Sequence, residues 1–229
     1  MLSFVIPAYN EERFVGRAIA SIHGAARALA LGYEIVVADD ASTDATALVA
    51  AAAGARVVAV SCRQIAATRN AGARVARGER LVFVDADTEV DARVLRAAVA
   101  ALDAGAVGGG AGVRFPRGTP WWASAMAAFT VWFMRHTLLA AGCFVFCTRS
   151  AFDAAGGFDE RYYGAEEWVL SNALKRHGRF VVLDEAVLTS ERKVENRGFL
   201  ETLALMTGFV LRGAAGLRDR RHCGFWYNR

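Results

Sequence analysis

The sequence predicts an α/β fold, a mainly parallel sheet covered by helices on both faces. Three observations lead there. Short apolar runs rich in β-branched residues alternate with helical patterns along the first 105 residues, which is the pitch of successive strand–helix–strand units. The first, second and fourth of these runs are each followed by a polar, acidic cluster, and ligands bind at those carboxyl ends in parallel sheets. The 229 residues are 55% hydrophobic with a formal charge of only +4, enough apolar surface for one sizeable core and too much for disorder.

The elements follow in order. Leu2–Pro7 (LSFVIP) reads as a buried strand, and a helix from Glu11 to about Leu31 follows, with Asn10 as its N-cap and Gly32 as its stop. Phe14, Ala18, Ile22, Ala25 and Leu29 recur three and four apart and give that helix one apolar face. Tyr33–Asp39 is the second strand, with a helix from about Asp44 to Ala53. Arg56–Val60 is the third, with a helix over Ile65–Arg77 closed by Gly78. Arg80–Asp85 is the fourth, with a helix over Ala92–Ala104 closed by Gly105. The second half is less regular. Ala106–Phe115 is so rich in glycine that it reads as a weak strand or one closely approached by other backbone. Beyond it we expect an aromatic helix over Trp121–Leu139, a strand at Cys143–Thr148, a helix over Glu166–His177, a strand at Phe180–Leu183 and an apolar helix over Phe199–Arg212. With no internal repeat and no low-complexity linker, one domain is expected.

Composition narrows the function. Four cysteines do not make a disulfide scaffold, and Cys143 and Cys147, on one strand without partners at zinc spacing, read as small buried hydrophobes. The charge is unevenly placed: residues 212–229 hold five arginines against Asp219, and the rest of the chain balances. A basic tail on a neutral body is not a nucleic-acid-binding composition, and it suits a local anion or a membrane surface better. The apolar run Leu2–Pro7 is too short for a signal peptide, and Arg135 and His136 interrupt Trp121–Cys147 before it reaches the roughly 20 residues a bilayer needs. A cytoplasmic protein is expected, with peripheral contact at the cytoplasmic face of the inner membrane. Nothing in the sequence sets the oligomeric state.

The chemistry concentrates at the strand ends. Asp85-Ala86-Asp87 directly follows an apolar strand, so both carboxylates can reach a common target as the chain turns. With Asp39 and Asp40 at the second strand end, that rim carries about four negative charges, which is costly unless a cation fills it. Mg²⁺ or Mn²⁺, arriving with substrate phosphates, is the natural partner for such oxygen ligands. An isolated D-x-D is more often a solvated turn; its place after an apolar strand and opposite a second acidic strand end reverses that and favours the binding role.

At this point the chain resembles the family 2 glycosyltransferases. The residues that carry the likeness are Pro7-Ala8-Tyr9-Asn10-Glu11-Glu12, Asp39-Asp40-Ala41-Ser42-Thr43-Asp44, Ala67-Thr68-Arg69-Asn70-Ala71-Gly72, Phe83-Val84-Asp85-Ala86-Asp87, Gly156-Gly157-Phe158-Asp159-Glu160 and Gly164-Ala165-Glu166-Glu167-Trp168. They span residues 1 to about 185 in the family's order. The resemblance implies a GT-A fold, Rossmann-like, with a nucleotide-binding half over 1–105, an acceptor and base half over 106–185, and a basic helical extension over 186–229 packed on it. It implies a hexosyltransferase that moves a sugar, with inversion, from a UDP- or GDP-linked donor to a glycan or lipid-linked hydroxyl.

Carried over by position, Pro7, Tyr9 and Glu11 line the nucleoside pocket, Asp40 contacts the base with Asp39 beside it, Asp85 faces the ribose, and Asp87 holds the metal. Arg69 approaches the phosphates or is a charge on a helix face. The general base is Glu167, where the family usually has Asp, and Glu166 beside it belongs to the substrate-binding set; a helix dipole alone would also welcome two acids there. The Gln-x-x-Arg-Trp motif and flanking spans of processive members are missing, which implies transfer of one sugar. Glu191-Arg192-Lys193 lies near that motif's expected place, as diphosphate contacts or as a surface cluster. The aromatics Trp121, Trp122, Phe129, Trp132 and Phe133 read as core, acceptor site or membrane contact, the last together with Phe225-Trp226-Tyr227. Two other readings stand beside transfer. One is a non-catalytic nucleotide-sugar-binding protein. The other, weaker, is a haloacid-dehalogenase-like phosphatase, which wants Thr or Val where this chain has Glu89.

Overall fold

The computed structural model of the protein describes residues 1–190, 192 and 216–223. The expected helix over Phe199–Arg212 and the aromatic tail Phe225-Trp226-Tyr227 lie outside those residues.

Among the described residues, eight strands form one sheet. They are β1 (Leu2–Ala8), β2 (Tyr33–Asp40), β3 (Arg56–Val60), β4 (Arg80–Val84), β5 (Thr88–Glu89), β6 (Gly108–Arg114), β7 (Phe144–Thr148) and β8 (Phe180–Thr189), in the spatial order β3-β2-β1-β4-β7-β6-β8-β5. β7 and β5 run against the other six. The helices are α1 (Val15–Ala28), α2 (Thr46–Ala52), α3 (Ile65–Val75), α4 (Ala92–Asp103), α5 (Trp121–Thr137), α6 (Arg149–Ala154) and α7 (Glu166–Leu174).

Period-two alternation divides the core. Phe4 and Ile6 of β1 and Val82 and Val84 of β4 face a cluster with Ile19 and Ile22 of α1, Ala50 of α2 and Val94 and Leu95 of α4. The intervening Val5, Leu81 and Phe83 face the other side, with Ala66 and Ala73 of α3, Phe152 of α6 and Leu170 and Leu174 of α7. A strand buried on both faces can be apolar at every position, as all seven residues of β1 are. In β6 the glycines are required by crowding: a Cβ on Gly110 would lie 2.6 Å from Ala140 Cβ, and one on Gly109 would collide with the Val181 carbonyl of β8.

Among the described residues the expected elements form with shifted ends. Asn10 does not cap α1. It sits at φ +53, and its Oδ1 accepts from Thr43 N–H at 2.8 Å while its own N–H donates to Ser42 Oγ at 2.9 Å, so it ties the β1 and β2 ends together. α1 starts only at Val15, where the Glu11 carbonyl accepts from both Phe14 and Val15. The left-handed residue after α1 is Ala30 rather than Gly32. Two elements, β5 and α6, were not expected, being too short to show periodicity. β8 runs on past Leu183 to Thr189, pairing with both β6 and β5. No helix among the described residues is long and apolar enough to cross a membrane.

Candidate active site

The strand ends and the first turns of α3 and α7 meet at one rim, and α3 is the element that organises it. Gln64 caps its N-terminus, accepting from Ala67 N–H at 3.2 Å, while Gln64 Nε2 donates to the carbonyls of Glu160 and Tyr162 at 2.6 and 2.9 Å. One turn on, Asn70 Nδ2 donates to the Phe158 carbonyl at 2.8 Å and its Oδ1 accepts from Phe158 N–H at 2.9 Å. The Gly156–Glu160 loop is thereby fastened to α3. Gly157, at φ +73, must be glycine there, because a Cβ would also stand 2.8 Å from Asn70 Oδ1. The Phe158 ring packs edge-on against Phe83 of β4, centroids 4.9 Å apart.

This framework holds a buried charge cluster. Arg69 is 1% exposed. Its Nη1 donates to Glu166 Oε1 at 2.5 Å, and its Nη2 donates to Asp85 Oδ1 at 2.8 Å and to the Gly142 carbonyl at 2.9 Å. Burial by itself lowers an arginine's pKa, but Asp85, Glu166 and Glu167 outweigh it and raise that of Arg69, which stays charged. Glu167, half-buried, completes the group. Desolvation first, then the neighbouring Glu166 charge, pushes the Glu167 carboxyl up to about 8, against the pull of Arg69. Gly142 makes the close approach possible, since a Cβ there would sit 3.3 Å from both Arg69 Nη2 and the Glu167 carboxyl carbon. Arg69, expected at the phosphates or on a helix face, is here an internal brace between two strand-end and helix-end acids.

A second group lies at the ends of β1 and β4. Arg192 pairs with Glu11 at 2.6 Å and with Asp87 at 3.0 Å. Among the described residues no three His, Cys, Asp or Glu side chains surround a common point. Asp87 therefore fits a hard cation only as Mg²⁺ is commonly held, by one or two carboxylates with the remaining positions left to substrate phosphates and water.

Beside these groups opens a shallow, solvent-connected cleft, lined among others by Pro7, Tyr9, Glu11 and Asp40, and also by Arg63, Gln64, Thr68 and Arg220. Arg63 lies 5.1 Å from the Tyr9 ring centre. Asp40 is held in place: Oδ1 accepts from Cys62 and Arg63 N–H at 2.6 and 2.9 Å, and Oδ2 from Thr68 Oγ1 at 2.9 Å. Asp39, equally buried, has an Oδ1 with no hydrogen-bond partner among the described residues.

Sequence reasoning missed Gln64, Arg63, Gly142 and Arg220. No motif marked them: Arg63 meets Tyr9, Gln64 reaches Glu160 and Tyr162, and Gly142 lies against Arg69 and Glu167, all distant in the chain. Part of the basic tail also turns inward. Tyr163 N–H donates to the Leu217 carbonyl at 2.8 Å, Arg218 stacks on Tyr162 at 4.7 Å and donates to its hydroxyl, and Arg220 reaches the cleft.

The matching family description is "Glycosyl transferase family 2", over residues 3–155, more than half of the chain. The chain belongs to that family. An uncharacterized glycosyltransferase of Mycobacterium tuberculosis is 36% identical over 105 residues, 46% of this chain and 45% of the relative, so the match spans just under half of that relative's length. Among solved structures, a mannosyltransferase of Pyrobaculum calidifontis in complex with GDP-Man and Mn²⁺ superposes with TM-score 0.66 at 21% identity, covering 82% of this chain and 56% of that one. Glucosyl-3-phosphoglycerate synthase of Mycobacterium tuberculosis, with Mn²⁺, UDP and glucosyl-3-phosphoglycerate, gives 0.60 at 21% over 98% and 80%. S. aureus TarS in complex with UDP gives 0.65 at 20% over 82% and 60%. At these identities the likeness is one of fold, the GT-A glycosyltransferase fold.

Proposed function

We propose that this family 2 glycosyltransferase transfers one hexose at a time, with inversion, from a UDP- or GDP-linked sugar to a hydroxyl of a glycan or lipid-linked acceptor. The carrying observation is Glu167, a half-buried carboxylate beside an always-charged arginine, with its pKa pushed up to about 8. A base acts best when its pKa is near the working pH. In the reaction Glu167 takes the acceptor hydroxyl proton as the oxygen forms its bond to the anomeric carbon and the bond from that carbon to the diphosphate breaks. Arg69 and Glu166 fix the base's surroundings and do not touch substrate. Pro7, Tyr9, Glu11 and Asp40 line the donor cleft, with Asp39 and Asp85 beside it and Asp87 holding Mg²⁺ or Mn²⁺. When bound, that cation shields the charge of the departing diphosphate.

The test is release of nucleoside diphosphate from a panel of UDP- and GDP-sugars. Turnover must disappear with EDTA and in Asp87→Ala. In Glu167→Gln it must fall at least about a hundredfold while donor binding persists. Equal turnover in Glu167→Gln removes the base assignment. Donor binding with no turnover in the unaltered protein favours a non-catalytic binding role.

We further propose a cytoplasmic location with peripheral membrane contact through α5. Its Trp121, Phe129 and Trp132 are 81%, 65% and 53% exposed, a support for lipid contact that a buried helix would lack.

A further inference from the structure

Arg192 lies across two carboxylates that belong to different strand ends. Its Nη2 stands 2.6 Å from Glu11 Oε1 and 3.0 Å from Asp87 Oδ2, and its guanidinium carbon is 4.7 Å from the Phe14 ring centre. The Glu11 and Asp87 side chains are 3% and 7% exposed, whereas that of Arg192 is 25% exposed. Two buried carboxylates brought together need a positive charge, and here the protein supplies its own. Asp87 is also the residue that the proposed function assigns to the divalent cation. A guanidinium and a divalent ion cannot both press on the same small carboxylate pair without strong repulsion, because Coulomb energies are large where water is scarce. Of the three side chains, Arg192 is the one with solvent access. Ser190 N–H, two residues before it, donates to the Asp87 carbonyl at 3.2 Å, so the side chain can turn aside while its backbone stays anchored. Arginine also binds phosphate oxygens through its fork of N–H groups, which offers it a second anion of comparable strength.

We propose that Arg192 is a resident counter-cation, which neutralises Glu11 and Asp87 until a nucleoside diphosphate draws it away, and that the divalent cation binds tightly only then. Donor and cation thus load together, and the cation alone is disfavoured. This rests on the donor and metal assignment above and adds an order of loading to it.

The experiment is titration of the full chain with Mn²⁺, followed by the electron paramagnetic resonance signal of the free ion, with and without UDP or GDP. The unaltered protein is expected to bind Mn²⁺ weakly alone and about tenfold or more tightly with either nucleotide. Arg192→Gln is expected to bind Mn²⁺ alone about tenfold more tightly than the unaltered protein and to gain little from nucleotide, while Arg192→Lys, which keeps the charge, resembles the unaltered protein. Mn²⁺ alone raises the melting temperature of Arg192→Gln but not of the unaltered protein, since a ligand of the folded state stabilises it. If loss of the charge prevents folding, Phe14→Leu takes its place. That change removes the ring against which Arg192 packs, keeps every charge, and is expected to tighten Mn²⁺ binding severalfold. Equal Mn²⁺ affinity in all of these proteins, with the same nucleotide enhancement in each, overturns the role of Arg192 and leaves the metal assignment standing. No Mn²⁺ binding even with UDP and GDP removes both.

Discussion

Replacing Arg69 by methionine isolates the buried charge cluster. The substitution keeps most of the side chain's apolar stem and removes one positive charge that is 1% exposed and shared by Glu166, Asp85 and the Gly142 carbonyl. Asp85 and Glu166 would then face each other and Glu167 with no cation among them. Removing one partner of a buried ion pair costs about 3–5 kcal/mol, and the two pairs share one guanidinium, so the larger sum of two separate pairs does not apply. For a chain of this length each kcal/mol is worth about 2–4 °C, which gives a fall in melting temperature of about 6–20 °C. The effect has a pH signature of known sign. Without Arg69 the Glu167 carboxyl loses the charge that pulls its pKa down, so in the variant it holds its proton to higher pH and stability rises as pH falls, by about 1.4 kcal/mol for each unit by which its pKa rises. The gap between the two proteins must therefore be wider at pH 8 than at pH 5. Urea unfolding followed by circular dichroism at both values measures it. A loss below about 1 kcal/mol, or a gap that does not change with pH, would refute the claim that Arg69 braces these acids.

Two further outcomes follow from the same geometry. Glu167 has its folded pKa raised from 4.5 to about 8, so the base form grows as pH rises through that value and kcat/KM must climb to a plateau above it; the same raised pKa contributes stability that is full below about 4.5 and is lost as pH rises through about 8. A kcat/KM profile that is already flat from pH 6 upward contradicts this placement. For α5, co-sedimentation with phosphatidylglycerol vesicles is expected to fall in Trp132→Ser and Phe129→Ser with the melting temperature changed by less than about 2 °C, as both side chains are exposed. Undiminished binding in both variants excludes this face as the contact.

Much of the molecule could be read from local pattern. The first four strands and the helices α1 to α4 are long and periodic, and burial on both faces writes itself into β1 as an unbroken apolar run. The acids at the strand ends were legible because a parallel sheet puts every such end on one rim. Local pattern failed where tertiary contacts overrode it. Asn10 has the side chain of an N-cap, but its oxygen is taken by Thr43, and α1 begins later for that reason. β5 has only two residues, and it exists because β8 extends far enough to pair with it.

The sequence by itself determined the α/β class, the family motifs and the acidic rim, because these depend on side-chain type and period. It also located the net positive charge beyond Leu211, but it left open where that charge goes. The tertiary structure decided which cation meets which acid. Arg69, read from the sequence as a phosphate contact or a helix-face charge, is drawn under Asp85 and Glu166, and Arg192 crosses the chain to Glu11 and Asp87. Arg220 of the tail comes back to the donor cleft. Pairings of this kind join residues that are not neighbours in the chain, from 16 residues apart for Arg69 and Asp85 to 181 for Arg192 and Glu11, and the folding of the sheet brings them within the few ångströms at which a buried charge is compensated.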